Sequence, residues 1–140
     1  MRVTTKGQYA IRALIDISTT EKPMTAREIA DRQKLPMAFL LQIMKNLKDK
    51  GIVNAIKGPG GGYVLAQHED SVTLESVLNA AGERLHLGKT AKASSPEVEG
   101  TTGFKVTKGF LNELDNVVNG VLSHTTLGEV RRKYLGDGAA

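Results

Sequence analysis

The sequence predicts a mostly α-helical chain with one small β-hairpin, ordered as helix, helix-turn-helix, hairpin, helix and finally a long apolar helix. Apolar residues recur at helical spacing in three segments between residues 6 and 50, broken at Pro23 and at Leu35-Pro36. Two short apolar runs then flank the glycine-rich stretch Lys57-Gly-Pro-Gly-Gly-Gly-Tyr63, as the strands of a hairpin flank its loop. Late in the chain Val106, Phe110, Leu114, Val117 and Val121 share one helical seam. A winged helix-turn-helix followed by a long C-terminal helix has these elements in this order.

Each element has a local cause. Tyr9, Ile11, Ala13, Leu14, Ile15 and Ile17 give a first helix from about Lys6 to Thr19. After the turn at Glu21-Lys22-Pro23, Thr25-Ala-Arg-Glu28 has the form of a capping box and starts a second helix that should run from Ala26 to Gln33. Pro36, with no N–H to leave unsatisfied, suits the first position of a third helix from Pro36 to Lys50, which stops at Gly51. Ile29, Ala30 and Leu35 fill the interior of the helix-turn-helix. On the third helix Leu40, Ile43, Met44 and Leu47 form the buried stripe, leaving Met37, Ala38, Leu41, Gln42 and Lys45 toward solvent.

Residues 52–56 and 62–66 read as the two strands of the wing. Thr73 caps a fourth helix that stops at Gly82. From Leu85 to Gly103 periodicity fails, and the segment reads as a long mobile loop. Beyond it Leu111, Val118 and Leu122 lie beside the seam already named, so this helix must pack on something. Thr126-x-x-Glu129 is a second capping-box candidate, for a short last helix to about Tyr134, and residues 136–140 read as a disordered tail.

Composition narrows the function classes. A chain of 140 residues holds one compact domain, or a small domain with an oligomerisation arm. No apolar run approaches the roughly 20 residues that span a bilayer, and the N-terminus lacks a signal-peptide pattern, so a soluble cytoplasmic protein is expected. The sequence has no cysteine, which excludes disulfides and any site ligated by its own thiolates. Residues 1–67 carry 11 Lys and Arg against 5 Asp and Glu, while residues 68–140 carry 8 against 10. The positive field therefore belongs to the half with the helix-turn-helix, which suits a polyanionic partner.

Catalysis finds little support. His68 and His124 belong to no nucleophile, base and orienter set. The glycine loop lacks the Gly-Lys-Ser/Thr ending of a phosphate-binding P-loop and sits in a hairpin instead of before a helix. Its glycines instead admit backbone conformations closed to other residues and let main-chain N–H groups approach a phosphate.

The segment Thr5-Lys-Gly-Gln-Tyr-Ala-Ile-Arg-Ala-Leu14, then Glu28-Ile-Ala30, Phe39-Leu40, Gln42, Leu47 to Gly51 and above all Lys57 to Tyr63 with Leu65, resembles the Rrf2 family of winged helix-turn-helix transcriptional regulators. The resemblance covers about residues 2–82 strongly and 104–130 more weakly. It implies a homodimer in which the long helix, with Val106, Phe110, Leu111, Leu114, Val117, Val118, Val121 and Leu122, crosses its counterpart. It also implies a domain layout of DNA-binding domain 1–82, loop 83–104 at the sensor position, and dimerisation and terminal helices 105–135.

The same resemblance implies double-stranded DNA as partner. Phosphate contacts are expected from Lys6, Tyr9, Thr25, Arg27 and the backbone of the wing at Gly58, Gly60 and Gly61, near Tyr63. Base contacts are expected from Met37, Ala38, Phe39, Leu41, Gln42 and Lys45 on the third helix. Lys57 stands where the family often has a minor-groove arginine, and it keeps the charge while losing the planar fork. Leu41 can meet a thymine methyl or simply pack, and Gln42 can pair with adenine or remain a solvated side chain.

The sensor departs from the family. Many members hold an iron-sulfur cluster or redox thiols on three cysteines in the loop before the dimerisation helix, and this chain has none. His86, Glu97 and Glu99 do not replace them, so no metal and no cofactor is expected. The effector is expected to be a small molecule or another protein. The expected function is a repressor acting as a dimer on a roughly palindromic operator. The rival reading is a winged-helix module whose partner is another protein.

Overall fold

Thr4, in extended conformation, opens the first helix by accepting a hydrogen bond from the Gly7 amide on its side chain, and α1 runs over Thr5–Ser18. One face of α1 buries Ala10, Ala13, Leu14 and Ile17, and against α1 pack four of the helices and the second strand of the hairpin described below. The computed structural model describes residues 3–83 and 91–135.

Helix α2 occupies Ala26–Gln33 and has both halves of the capping box: Thr25 Oγ1 accepts from the Glu28 amide at 3.1 Å, and Glu28 Oε2 accepts from the Thr25 amide at 3.3 Å. An eight-residue helix is marginal on its own, so this cap and the burial of Ile29 and Ala30 are what hold it. It ends at Lys34, whose φ of 55° is the one positive value among the described non-glycine residues. Helix α3 spans Met37–Asp49. Pro36 is its N-cap and not its first helical residue, because its extended ψ of 133° turns the chain while its carbonyl accepts from the Leu40 amide. Leu40, Ile43, Met44 and Leu47 are fully buried.

Strands β1, Val53–Ile56, and β2, Gly62–Leu65, pair antiparallel with Val53 opposite Leu65 and Ile56 opposite Gly62. Met24 adds a third edge: its amide donates to Tyr63 O at 3.0 Å and its carbonyl accepts from the Tyr63 amide at 2.8 Å. The wing is thereby stitched to the residue that precedes the α2 cap. A 3-10 turn at Glu69–Ser71 leads to α4, Leu74–Ala80, capped by Thr73.

The segment read as a loop contains a helical turn. Helix α5 forms at Pro96–Glu99 with Ser95 as cap, and the long helix α6 runs over Thr102–His124, starting ahead of the expected 105 because Thr101 caps it through the Phe104 amide. Local caps, which leave no trace in apolar periodicity, place these starts. His86 and the tail 136–140 lie outside the described residues. Helix α7, Leu127–Leu135, turns back. The Leu127 amide donates to Val72 O and the Leu74 amide to Thr125 O, while Leu127 is fully buried.

Glu83, buried after α4, closes the fold at its other end. Its Oε1 accepts from the Thr4 amide at 2.9 Å and from the Thr4 hydroxyl. Gly7 is required there, since a Cβ would lie 2.9 Å from Glu83 Cγ. No helix among the described residues is long and apolar enough to cross a membrane.

Candidate nucleic-acid interface

The wing loop owes its shape to glycine. Gly58 and Gly60 have φ of 89° and 75°, values open to glycine at no steric cost. A Cβ on Gly61 would lie 2.2 Å from Ile56 O, and one on Gly62 would meet the Met24 backbone at 2.6 Å. The loop therefore folds over its own strand and against the α2 entry with Lys57, Gly58 and Gly60 exposed. Lys22, Pro23, Thr25 and Glu28 face Gly58, Gly60 and Gly61 across an open cleft. Lys22 escaped the sequence reading, although its place before Pro23 in a basic half is a signal that could have found it.

The outer face of α3 presents Ala38, Leu41, Gln42 and Lys45 to solvent, and Lys45 pairs loosely with Asp49 at 3.7 Å. Met37, expected toward solvent, is half-buried and packs against the core. Phe39 does likewise, with its ring edge-on to Tyr9 at 5.6 Å between centroids. The reason is position: both lie in the first turn of α3, which packs on the core and, through Phe39, on Tyr9 of α1. Tyr63 is also half-buried, and its backbone makes the Met24 bridge.

Lys6 sits in the first turn of α1, and Arg27 is exposed on α2. Thr25 uses its hydroxyl oxygen to accept from Glu28, yet a hydroxyl keeps its own proton to donate. Basic side chains, an exposed helix face and a glycine loop rich in main-chain donors thus belong to one packed unit, whose wing the Met24 bridge fastens to the α2 entry. Such a set can bind polyanion backbone through the loop and α1 while α3 meets base edges.

The second expected surface is α6. Val106, Phe110, Val117 and Val121 are all more than half exposed, whereas Leu111, Leu114, Val118 and Leu122 are partly covered from the α4 side. Asp115, 8% exposed, is the sole buried residue of this 23-residue helix.

Ion pairs hold α7 to the turn after the wing. Arg131 donates to Glu69 through Nε at 2.8 Å and Nη2 at 2.6 Å, and Arg132 Nη2 donates to Asp70 Oδ1 at 2.7 Å. The Arg131 hydrogen bonds hold the Glu69 carboxyl below its ordinary range, against the opposing effect of burial. His68 caps the turn by accepting from the Asp70 amide. His124 Nδ1 lies 2.8 Å from Gly120 O, a contact within its own helix end.

No three His, Asp or Glu residues among the described residues stand close enough to hold a metal ion. With no cysteine in the chain, a cluster ligated by its own thiolates does not fit.

The Rrf2 family profile, described as an iron-dependent transcriptional regulator, matches residues 3–133. The HTH-type transcriptional regulator IscR of Escherichia coli is 28% identical over 137 residues, covering 93% of this chain and 80% of that protein. Among solved structures, IscR of T. potens superposes with a TM-score of 0.76 at 25% identity, covering 100% of this chain and 93% of that one. CymR, the global cysteine regulator of B. subtilis, superposes with a TM-score of 0.78 at 24% identity over 95% of this chain and 98% of that one. The last shows a shared fold.

Proposed function

The chain belongs to the Rrf2 family of DNA-binding transcriptional regulators, and on that footing we propose that it is a repressor that binds a roughly palindromic operator as a homodimer in the cytoplasm. The observation that carries this reading is the stitched assembly of wing and helix-turn-helix. Met24 holds the glycine loop beside the α2 entry while α3 keeps Ala38, Leu41, Gln42 and Lys45 outward.

In this reading α3 enters the major groove and Lys57 with the backbone of Gly58, Gly60 and Gly61 follows the adjacent minor groove. Lys6, Thr25 and Arg27 meet phosphates. Gln42 and Leu41 are the base-reading side chains. Tyr9, Met37, Phe39 and Tyr63 support that surface by packing, which accounts for their half-burial. Two copies joined along the α6 seam present two such faces with two-fold symmetry, hence the palindrome.

Regulation follows from an absence in the sequence. With no cysteine to ligate a cluster, the chain responds to a different signal, carried by a small molecule or a protein. Fluorescence anisotropy with duplex from upstream of its own gene and with a scrambled duplex, at low and near-physiological salt, tests the whole reading. Binding that survives salt only on the native duplex is expected of the metal-free protein. No salt-sensitive binding to either would favour a protein-interaction module. Lys57→Ala should weaken binding to every duplex and flatten the salt dependence by about 0.9 per lost phosphate contact. Gln42→Ala should change base preference instead.

A further inference from the structure

We propose that Arg12, which the interface above leaves unused, is a positioning residue for operator recognition: it ties α1 to the end of α2 and, through the Tyr9 ring, braces the start of α3, and so sets the pose of α3. This rests on the DNA-binding reading and adds a determinant of specificity that does not touch a base.

Arg12 lies on the exposed side of α1, one helical turn after Tyr9. Its guanidinium stands over the Tyr9 ring, 4.9 Å from the centroid. Its Nε donates to Gln33 Oε1 at 2.9 Å and its Nη2 to Gln33 O at 2.8 Å. Gln33 is the last residue of α2, directly before the left-handed Lys34 that turns the chain toward α3. The Gln33 side-chain amide donates in turn to Asp16 Oδ2 at 2.5 Å, and the buried Asp16 also pairs with Arg32 at 3.4 Å. On the other side Tyr9 meets Phe39 at 84° between ring planes, in the first turn of α3. One planar cation therefore grips the end of α2 while its ring partner braces the start of α3.

The fork matters more than the charge. A lysine at 12 would keep the positive field but could neither make two fixed bonds to one residue nor hold a planar guanidinium over the Tyr9 ring. A guanidinium that only neutralised a phosphate would have no need of those partners, and its loss would show in the salt dependence. A brace at the turn acts otherwise. Loosening it lets α3 sample several poses, so the correct base sequence loses its advantage while phosphate attraction stays.

The measurement compares wild type, Arg12→Lys, Arg12→Ala, Gln33→Ala and the double variant Arg12→Lys with Gln33→Ala on an operator selected by the wild type from a random duplex pool, against a scrambled duplex, across salt. Arg12→Lys and Gln33→Ala should each reduce the operator-to-scrambled affinity ratio by about tenfold. The double variant should be little worse than either, because both remove the same bond, from Arg12 Nε to the Gln33 side chain. Scrambled-duplex affinity and the salt slope should stay at wild-type values. An unchanged ratio would overturn the proposal, as would a flatter salt slope in Arg12→Ala, which would mark a direct phosphate contact. A core variant, Ile29→Val, matched for loss of thermal stability, separates pose from general weakening: if it narrows the ratio equally, Arg12 has no positioning role. Failure of the wild type to select any duplex would instead remove the DNA-binding reading itself.

Discussion

Residues 3–83 and helix α6 solve opposite packing problems. Every fully buried apolar residue among the described ones lies in the first region, except Leu127, which α7 inserts back into it. Helix α6 is nearly three times as long as α2, yet it buries only Asp115 and leaves four large apolar side chains more than half exposed. The first region completes its core within one chain. The second carries an apolar face about as long as the helix, and that face is the observation behind the proposed pairing with a second copy.

The most severe break in this contrast is made on the seam. Phe110→Glu combined with Val117→Glu should separate the subunits, since each residue contributes about 1.5 to 3 kcal/mol when fully buried. Sedimentation velocity should then report a monomer at micromolar concentration, with the far-ultraviolet dichroism of the helices preserved. A dimer that persists would move the interface off α6.

Within the self-contained region, Gly62→Val should cost about 2 to 4 kcal/mol in urea unfolding, through backbone strain and a clash with Met24. Operator binding should fall with it, because the wing would lose its stitch to α2. A variant of near wild-type stability would show that the bridge is dispensable.

Helix α7 joins the two regions, and its Glu69 pair gives the contrast a pH axis. Glu69 has a depressed carboxyl pKa in the folded protein, so its contribution is present above the unfolded value of about 4.3 and fades as pH falls through the folded value. Glu69→Gln should therefore lose about 1 to 3 kcal/mol at pH 7, and the gap to wild type should close in acid. A gap that stays constant down to pH 3 would assign the loss to packing. The smallest effect is expected at Gly109 on α6, where an added Cβ meets nothing within 4 Å. Gly109→Ala should stabilise by about 0.5 to 1 kcal/mol, the reverse of the wing glycine, and thermal unfolding at fixed protein concentration would show it.

Local chemistry was legible where one cause acts on neighbouring residues. The ends of α2 follow from Thr25 with Glu28 and from the break at Leu35-Pro36, and they were placed correctly from the sequence. The hairpin shows as a glycine-rich stretch between two apolar runs, and the buried stripe of α3 and the seam of α6 are patterns of period 3.6, which a sequence displays directly. Helix α5 and the early start of α6 were missed because Ser95 and Thr101 cap segments that lack an apolar stripe. Met37 lies on the solvent side by spacing alone, because periodicity cannot see that the core reaches the first turn of α3.

From its own residues the chain settles its class: three helices and a wing, a basic half, a helix with an unpaired apolar face, and no thiolate to hold a cluster. The tertiary structure alone decides what holds those parts in register. The Met24–Tyr63 bridge, the Arg12 grip on Gln33, the Arg131 pair with Glu69 and the Glu83 lock on Thr4, 79 positions away, all join side chains or strands remote in sequence. Periodicity and capping are set by near neighbours along the chain, whereas a hydrogen bond across elements exists only once packing has brought donor and acceptor within about 3 Å.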